Sequence, residues 1–257
     1  MKTFTDQLNR RIKINFPPKR IVSLVPSQTE LLVDLGLENE LVGITKFCIH
    51  PKNIFDTKTK VGGTKNYNLD KIRALKPDLI IANKEENDKE SLETLAKEFP
   101  VWISDIKNLE EANTMILEVG KLCAKENEAI KIVSKIENSF ASLKEFQIKK
   151  KVVYLIWQKP FMSINKDTFI NEILEKAGFE NVFKNSESRY PEISLEEIKA
   201  KNTEYIFLSS EPYPFKAKHK AYFEENFRET NIQIVDGEMF SWYGSRLMKV
   251  AEYLKTL

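Results

Sequence analysis

Leu69-Asp70-Lys71-Ile72-Arg73-Ala74-Leu75-Lys76-Pro77-Asp78-Leu79-Ile80-Ile81-Ala82 reads as helix, turn and strand, with Asn68 ahead of it as N-cap. The same reading returns at a constant offset in Leu195-Glu196-Glu197-Ile198-Lys199-Ala200-Lys201-Asn202-Thr203-Glu204-Tyr205-Ile206-Phe207-Leu208. Leu69/Leu195, Ile72/Ile198, Ala74/Ala200 and Ile80/Ile206 are identical, and Asp70/Glu196 and Asp78/Glu204 keep their charge. Ser194 followed by Glu197 forms a capping box at the head of the second copy. Such an echo marks two related halves; generic helix–strand patterning is the alternative.

Outward from these copies, strand-like runs recur at Arg20–Val25, Leu41–Thr45, Asp78–Ala82, Val101–Ile103, Val152–Ile156, Tyr205–Leu208 and Gln233–Val235. Helical patterns at Ser27–Leu35, Leu69–Leu75, Glu90–Glu98 and Leu109–Leu122 lie between them, and Gly36 and Gly178 sit where helices should end. Strands alternating with helices predict parallel α/β units. From Glu126 to about Phe146 there is neither Gly nor Pro, and Ala129, Ile130, Val133, Ile136, Phe140 and Leu143 mark one helical face. This predicts two α/β lobes with parallel sheets, 1–125 and 149–257, joined by one long rigid helix over 126–148. A surface helix of one larger domain is the alternative.

The chain has 257 residues, with 40 Lys+Arg against 38 Asp+Glu, a net charge of +2, and a 42% hydrophobic content. That mixture excludes a disordered chain and a small disulfide scaffold. The near-neutral balance argues against a nucleic-acid partner. Cys48 and Cys123 lie in apolar surroundings and read as buried free thiols. Only two histidines are present, too few to converge on a bare metal ion, so no metal site is expected. His219, in the basic stretch Lys216–Lys220, reads as part of a solvated helix face. Met1–Arg20 is polar and lacks an apolar core with a cleavage site. The chain as given is therefore expected in the cytoplasm if full-length, and in the periplasm or anchored to a membrane if a leader has been trimmed.

Pro17-Pro18-Lys19-Arg20-Ile21-Val22-Ser23-Leu24-Val25-Pro26-Ser27-Gln28-Thr29-Glu30 resembles the opening of the substrate-binding proteins of ABC importers for cobalamin, haem and iron–siderophores, the helical-backbone metal receptor type. The similarity continues through Leu35-Gly36-Leu37, Leu41-Val42-Gly43-Ile44-Thr45, Val61-Gly62-Gly63 and Leu75–Ala82, and resumes at Gly178-Phe179-Glu180-Asn181-Val182-Phe183. It covers nearly the whole chain and looks most like the cobalamin-binding branch. The resemblance implies a ligand cleft between the two lobes, a corrinoid or other metal chelate as cargo, and no cofactor or chemistry of the protein's own. It also implies an ABC permease as partner and a monomer in solution.

The cleft should be lined by loops at the carboxyl ends of strands. Those loops carry Trp157, Phe161, Tyr190, Tyr213, Phe240, Trp242 and Tyr243. About half of these are expected to be core; Trp157, Phe161, Tyr190 and Trp242 are the chosen ligand contacts. Against the family pattern, His50-Pro51 falls at an aromatic–Pro contact, Thr64 and Asn83 at two stacking Trp positions, and Tyr190-Pro191 at a Trp–Pro contact. Phe161 keeps an aromatic contact, and Glu238 and Trp242 fall where an acidic–basic pair meets the ligand's edges. His50 also carries an imidazole able to ligate cobalt or haem iron. Asp70 and Glu196 match the acids that dock onto permease arginines; an acid in a first helical turn is also favoured by the helix dipole. Lys84, Lys159 and Arg189 leave a ferric siderophore open. A cytoplasmic sequestering protein, or an enzyme acting through Glu238 or Glu211, are the other readings, although no nucleophile motif supports an enzyme.

Overall fold

In the computed structural model, which describes residues 1–144 and 147–257, the chain forms two compact units. The first comprises Met1–Ile106, Glu110–Glu137 and Tyr243–Met248; the second comprises Lys107–Leu109, Asn138–Trp242 and Lys249–Leu257.

The first unit opens with an antiparallel hairpin, β1 (Lys2–Thr5) and β2 (Arg11–Ile14), which the strand reading had passed over. Then follow β3 (Ile21–Ser23), α1 (Pro26–Asp34), β4 (Leu41–Ile44), α2 (Lys52–Thr57), β5 (Thr59–Lys60), α3 (Leu69–Leu75), β6 (Leu79–Asn83), α4 (Lys89–Ala96), β7 (Val101–Ser104) and α5 (Leu109–Leu122). Its sheet is parallel, in the order β5-β4-β3-β6-β7. Every residue of β6 and β7 is buried, as expected for strands covered on both faces.

Next comes α6 (Glu126–Ala141), shorter than the helix expected over 126–148; Glu145 and Phe146 lie outside the described residues. Its buried face is Ala129, Ile132, Val133, Ile136 and Phe140, whereas Ile130, expected on that face, is exposed. Residues 126–137 of α6 belong to the first unit.

The second unit contains β8 (Lys150–Leu155), β9 (Phe161–Met162), α7 (Phe169–Lys176), β10 (Phe179–Asn181), β11 (Glu192–Ile193), α8 (Leu195–Ala200), β12 (Tyr205–Ser209), α9 (Ala217–Asn226), β13 (Asn231–Val235), α10 (Glu238–Ser241) and most of α11 (Leu247–Leu254). Its main sheet is parallel, in the order β10-β8-β12-β13.

The two copies of the helix–turn–strand echo occupy matching places. α3–β6 and α8–β12 both begin with a side-chain N-cap, Asn68 to Lys71 N–H and Ser194 to Glu197 N–H, and Ser194 and Glu197 complete the capping box. Both turns pass through a left-handed residue with φ of 46°, Lys76 and Asn202. The acids that follow do the same work. Asp78 accepts from Lys19 N–H and Arg20 N–H, each at 2.8 Å, beside β3; Glu204 accepts from Lys151 N–H at 2.8 Å beside β8. Each acid therefore ties the start of its own strand to a parallel neighbour. Gly36 and Gly178 follow α1 and α7 with φ of 75° and 84°. At Gly36 the Leu37 N–H to Leu32 carbonyl and Gly36 N–H to Val33 carbonyl bonds complete a Schellman cap.

One late segment joins the first unit for a visible reason. Arg246 forms two hydrogen bonds with Glu30, at 2.9 and 3.1 Å, with both side chains about nine-tenths buried. Tyr243 donates its hydroxyl to Glu86 at 2.7 Å. A buried pair loses far more when one partner is removed than when both are replaced by apolar groups. Arg246→Ala is expected to cost about 3–5 kcal/mol in urea unfolding, and Glu30→Met with Arg246→Met should recover most of it. A single-mutant loss below about 1 kcal/mol would mean the pair behaves as a solvated surface bridge.

Candidate functional site

In each unit the strands end at a carboxyl edge, and the candidate ligand residues sit in or beside the loops leaving it. In the first unit the edge is organised by Asn83 and Asn87. Asn83, at the end of β6 and 2% exposed, receives Glu85 and Glu86 N–H at its Oδ1 (2.8 and 3.1 Å). Its Nδ2 donates to the Ser104 carbonyl and Oγ at 3.2 and 3.0 Å. One end of the amide thus closes the turn after β6 and the other holds the end of β7. The polar atoms of Asn83, expected at a ligand, are engaged within the fold.

Asn87 was not picked out from the sequence. Its Oδ1 accepts Asn83 N–H at 2.8 Å, and its Nδ2 donates to the Leu24 and Thr64 carbonyls at 3.1 and 2.9 Å. One buried amide therefore joins the loops after β3, β5 and β6. The sequence signal was only an Asn ahead of the α4 N-cap Asp88, which reads as an ordinary turn. Thr64 stands half-buried on a backbone fixed by this bond.

His50 is half-buried at the end of the loop after β4. In the same loop Phe47 and Ile49 are 50% and 46% exposed, with Lys46 Nζ 5.0 Å from the centre of the Phe47 ring. These two apolar side chains were also missed; only their position in a carboxyl-edge loop marked them. Cys48, between them, is buried beside Thr29 and Thr45, each hydroxyl 3.1 Å from its sulfur, and burial pushes its thiol pKa up. Cys123 is likewise buried, its pKa pushed up to about 12 by desolvation, so both cysteines are the buried thiols expected. Lys84 is held by Asp105 at 2.6 Å.

In the second unit Trp157 follows β8 and is 40% exposed, with its ring edge-on to Tyr213 at 5.7 Å. Tyr190 is 38% exposed, with the Arg189 guanidinium 5.9 Å from its ring. Phe161, in β9, is half-buried and packs on Phe223 at 5.3 Å and Tyr222 at 6.4 Å. Phe240 and Tyr243 are core residues. Trp242, expected at the ligand's edge, is 7% exposed and donates Nε1 to Glu211 at 2.9 Å. Its indole N–H, expected at a ligand's edge, is engaged with Glu211. Glu238, half-buried, begins α10 with its N–H on Asp236. His219, expected on a solvated face, is 6% exposed and bonded at both ring nitrogens. Its apolar neighbours Tyr213 and Phe215 turned the basic-looking segment inward.

The docking candidates are on the surface. Asp70 is 89% exposed and pairs with Arg73 at 2.9 Å; Glu196 is exposed in the first turn of α8.

Glu211 is an acid of this edge held by two side-chain donors. Ser241 Oγ and Trp242 Nε1 both donate to its Oε1, at 2.7 and 2.9 Å. Burial raises its pKa, these two bonds lower it, and the charges of Glu238 and Asp236 raise it further, leaving it above the ordinary value. Gly237 faces it so closely that a Cβ there would meet Ser209 Oγ and lie 2.6 Å from Glu211 Cγ. A raised folded-state pKa means the proton is held more tightly in the folded protein. That contribution is full below the unfolded pKa and is lost as pH rises through the folded one. Glu211→Gln, which keeps an acceptor oxygen for both donors, is expected to raise Tm at about pH 7 and to leave it unchanged near about pH 4. Equal melting curves at both pH values would show that the Glu211 carboxylate carries no burial penalty.

A vitamin B12-binding protein of Vibrio campbellii is 29% identical over 199 residues, covering 76% of this chain and 72% of that one. Among solved structures, the periplasmic vitamin B12 binding protein of Vibrio cholerae superposes with a TM-score of 0.78 at 24% identity, over 94% of this chain and 97% of the other. A periplasmic heme-binding protein from Roseiflexus sp. RS-1 gives 0.81 at 17% identity, over 93% and 97%. Both share the α/β fold with parallel sheets. The family model described as "Periplasmic binding protein" matches residues 21–232. Its members are periplasmic binding proteins and not enzymes, which agrees with the expectation of binding without turnover and gives no support to a cytoplasmic location. On a match spanning β3 to β13, this chain belongs to the periplasmic binding protein family.

Proposed function

We propose that the chain captures a corrinoid of the cobalamin type and delivers it to an ABC importer. The observation that carries this reading is the pair of exposed aromatic rings, Trp157 and Tyr190, at the carboxyl edge of a chain whose relatives are named vitamin B12-binding proteins. Rings of this kind offer a large flat ligand much area with little side-chain entropy to lose. His50, Thr64, Phe161 and Glu238 are assigned as further contacts. Asn83 and Trp242 are left out because their polar atoms are committed elsewhere. The ligand brings its own metal, and the protein needs no cofactor. The site of action is outside the cytoplasmic membrane, as a monomer, with Asp70 and Glu196 meeting basic residues of a permease.

Titration of the purified protein with cyanocobalamin and cobinamide, followed by calorimetry, tests the cargo. Hemin and a ferric siderophore run as competitors; hemin is included because His50 carries an imidazole. One-to-one corrinoid binding is expected, weakened on the order of tenfold or more by Trp157→Ala and by Tyr190→Ala, the worth of much of a buried aromatic side chain. Corrinoid binding unaltered in both variants would remove these rings from the site, and hemin binding alone would reassign the cargo.

The docking assignment is tested separately. Asp70→Ala with Glu196→Ala should leave corrinoid affinity unchanged and abolish stimulation of the importer's ATPase in proteoliposomes. Full stimulation by the double variant would leave these acids with only their first-turn role in the helices.

A further inference from the structure

Behind Trp157 lies a chain of hydrogen bonds whose direction is fixed at each step. Lys216 N–H donates to His219 Nδ1 at 2.8 Å, so that nitrogen carries no proton. The neutral ring then holds its proton on Nε2, which faces Tyr213 Oη at 3.2 Å and donates to it. Tyr213 in turn donates to Gln158 Oε1 at 2.7 Å. Gln158 is the residue next to Trp157, and the Tyr213 ring meets the Trp157 ring edge-on at 5.7 Å. Tyr213 N–H also donates to the Ile156 carbonyl, on the other side of Trp157, at 3.3 Å. His219 itself is buried, with Tyr213 and Phe215 ring centres 5.4 and 5.5 Å away.

We propose that His219 is a positioning residue for the ligand site: its neutral imidazole locks Tyr213 onto Gln158 and thereby sets the Trp157 ring, and protonation of the imidazole releases that ring. The proposal rests on Trp157 being a ligand contact. Protonation leaves the Nε2–H donor in place but makes Nδ1 a donor that cannot accept the Lys216 N–H, so two donors face one another at the start of α9 and the imidazole is pushed from its place, away from Tyr213. Two of the groups around the ring, the Lys218 and Lys216 ammonium groups, oppose its charging, and the rest are uncharged. From α9 and its N-cap come Lys218 and Lys216; from the loop after β12 come Tyr213 and Phe215; from the β8–β9 turn comes Gln158, through Tyr213. Burial and the two lysine charges lower the pKa of His219 from its ordinary value. Folded-state affinity for ligand is therefore full at neutral pH and falls as pH drops through that lowered value.

The test reads Trp157 directly, without ligand. Trp102 and Trp242 are 1% and 7% exposed, so acrylamide quenching of tryptophan emission reports chiefly Trp157, with Trp157→Phe as the control that removes the signal. Quenching in the unsubstituted protein is expected to stay low from about pH 7.5 to about pH 6.5, the ordinary imidazole pKa, and to rise only as pH falls further. His219→Gln preserves an acceptor and a donor without a titrating proton, and should give flat quenching at the low, neutral-pH level. Tyr213→Phe should show high quenching at every pH. Cyanocobalamin affinity should fall roughly fivefold over the same range in the unsubstituted protein, the worth of one neutral hydrogen bond, and stay constant in His219→Gln. Flat quenching in the unsubstituted protein, or the same pH transition in His219→Gln, would overturn the proposal. Loss of cyanocobalamin binding at every pH with the quenching pattern intact would overturn the corrinoid reading instead, and leave the positioning of Trp157 by His219 standing.

Discussion

Parallel strands buried on both faces leave their polar ends to be satisfied by whatever follows them in the chain, and that constraint governs both units. Inside each sheet the backbone is satisfied by its neighbours; at the carboxyl edge it is not. Asn83 and Asn87 meet the demand in the first unit, closing three loops with two side-chain amides. In the second unit Ser209 does comparable work, accepting from Tyr154 at 3.0 Å and donating to the Glu211 carbonyl at 2.5 Å. The residues nearest the strand ends are thus consumed by the fold. Side chains left to meet a ligand stand one or more positions further out, as Trp157 and Tyr190 do.

This explains what the sequence disclosed and what it concealed. The seven strand runs read from hydrophobic pattern all lie in the two parallel sheets; six come from strands whose apolar residues are largely buried, while Gln233–Val235 belongs to the edge strand β13, where Ile234 is exposed. The hairpin of β1 and β2 stayed hidden because its outward residues, among them Lys2, Arg11 and Lys13, break that pattern. The echo at Leu69 and Leu195 was legible because cap, left-handed turn and strand-tying acid each demand a narrow choice of residue. Site assignments fared less evenly for the same reason. Alignment by family position could locate Asn83 and Trp242, but could not show that Ser104 and Glu211 had already claimed their polar atoms. His219 misled because its charged neighbours in sequence are not its neighbours in space.

The echo also separates what repeats from what does not. Lys76 and Asn202 share a φ, and Asp78 and Glu204 both hold the strand beside them, so the scaffold of each half solves one packing problem in one way. Asn83 and Ser209, at equivalent positions in the echo, have different side chains and partners. Divergence begins where the strand stops and a loop has to be closed. Identity along the helices and strands therefore reports shared architecture, while the cargo is decided by residues that the echo does not contain.

Among those residues the exposed rings differ in how they are held. Tyr190 has the Arg189 guanidinium beside it, a contact of modest strength for a partly solvated cation and ring. Trp157 stands in front of a hydrogen-bonded column that runs through Gln158, Tyr213 and His219 to the first turn of α9. A ring fixed in this way loses little freedom when a flat ligand covers it, so more of the buried area is retained as affinity. The same column is sensitive to a single proton because every donor in it has one acceptor and the imidazole supplies both kinds. Rigidity and responsiveness at Trp157 then have one physical origin: a half-buried polar chain anchored on the buried imidazole of His219, in which each donor already has its acceptor inside the protein.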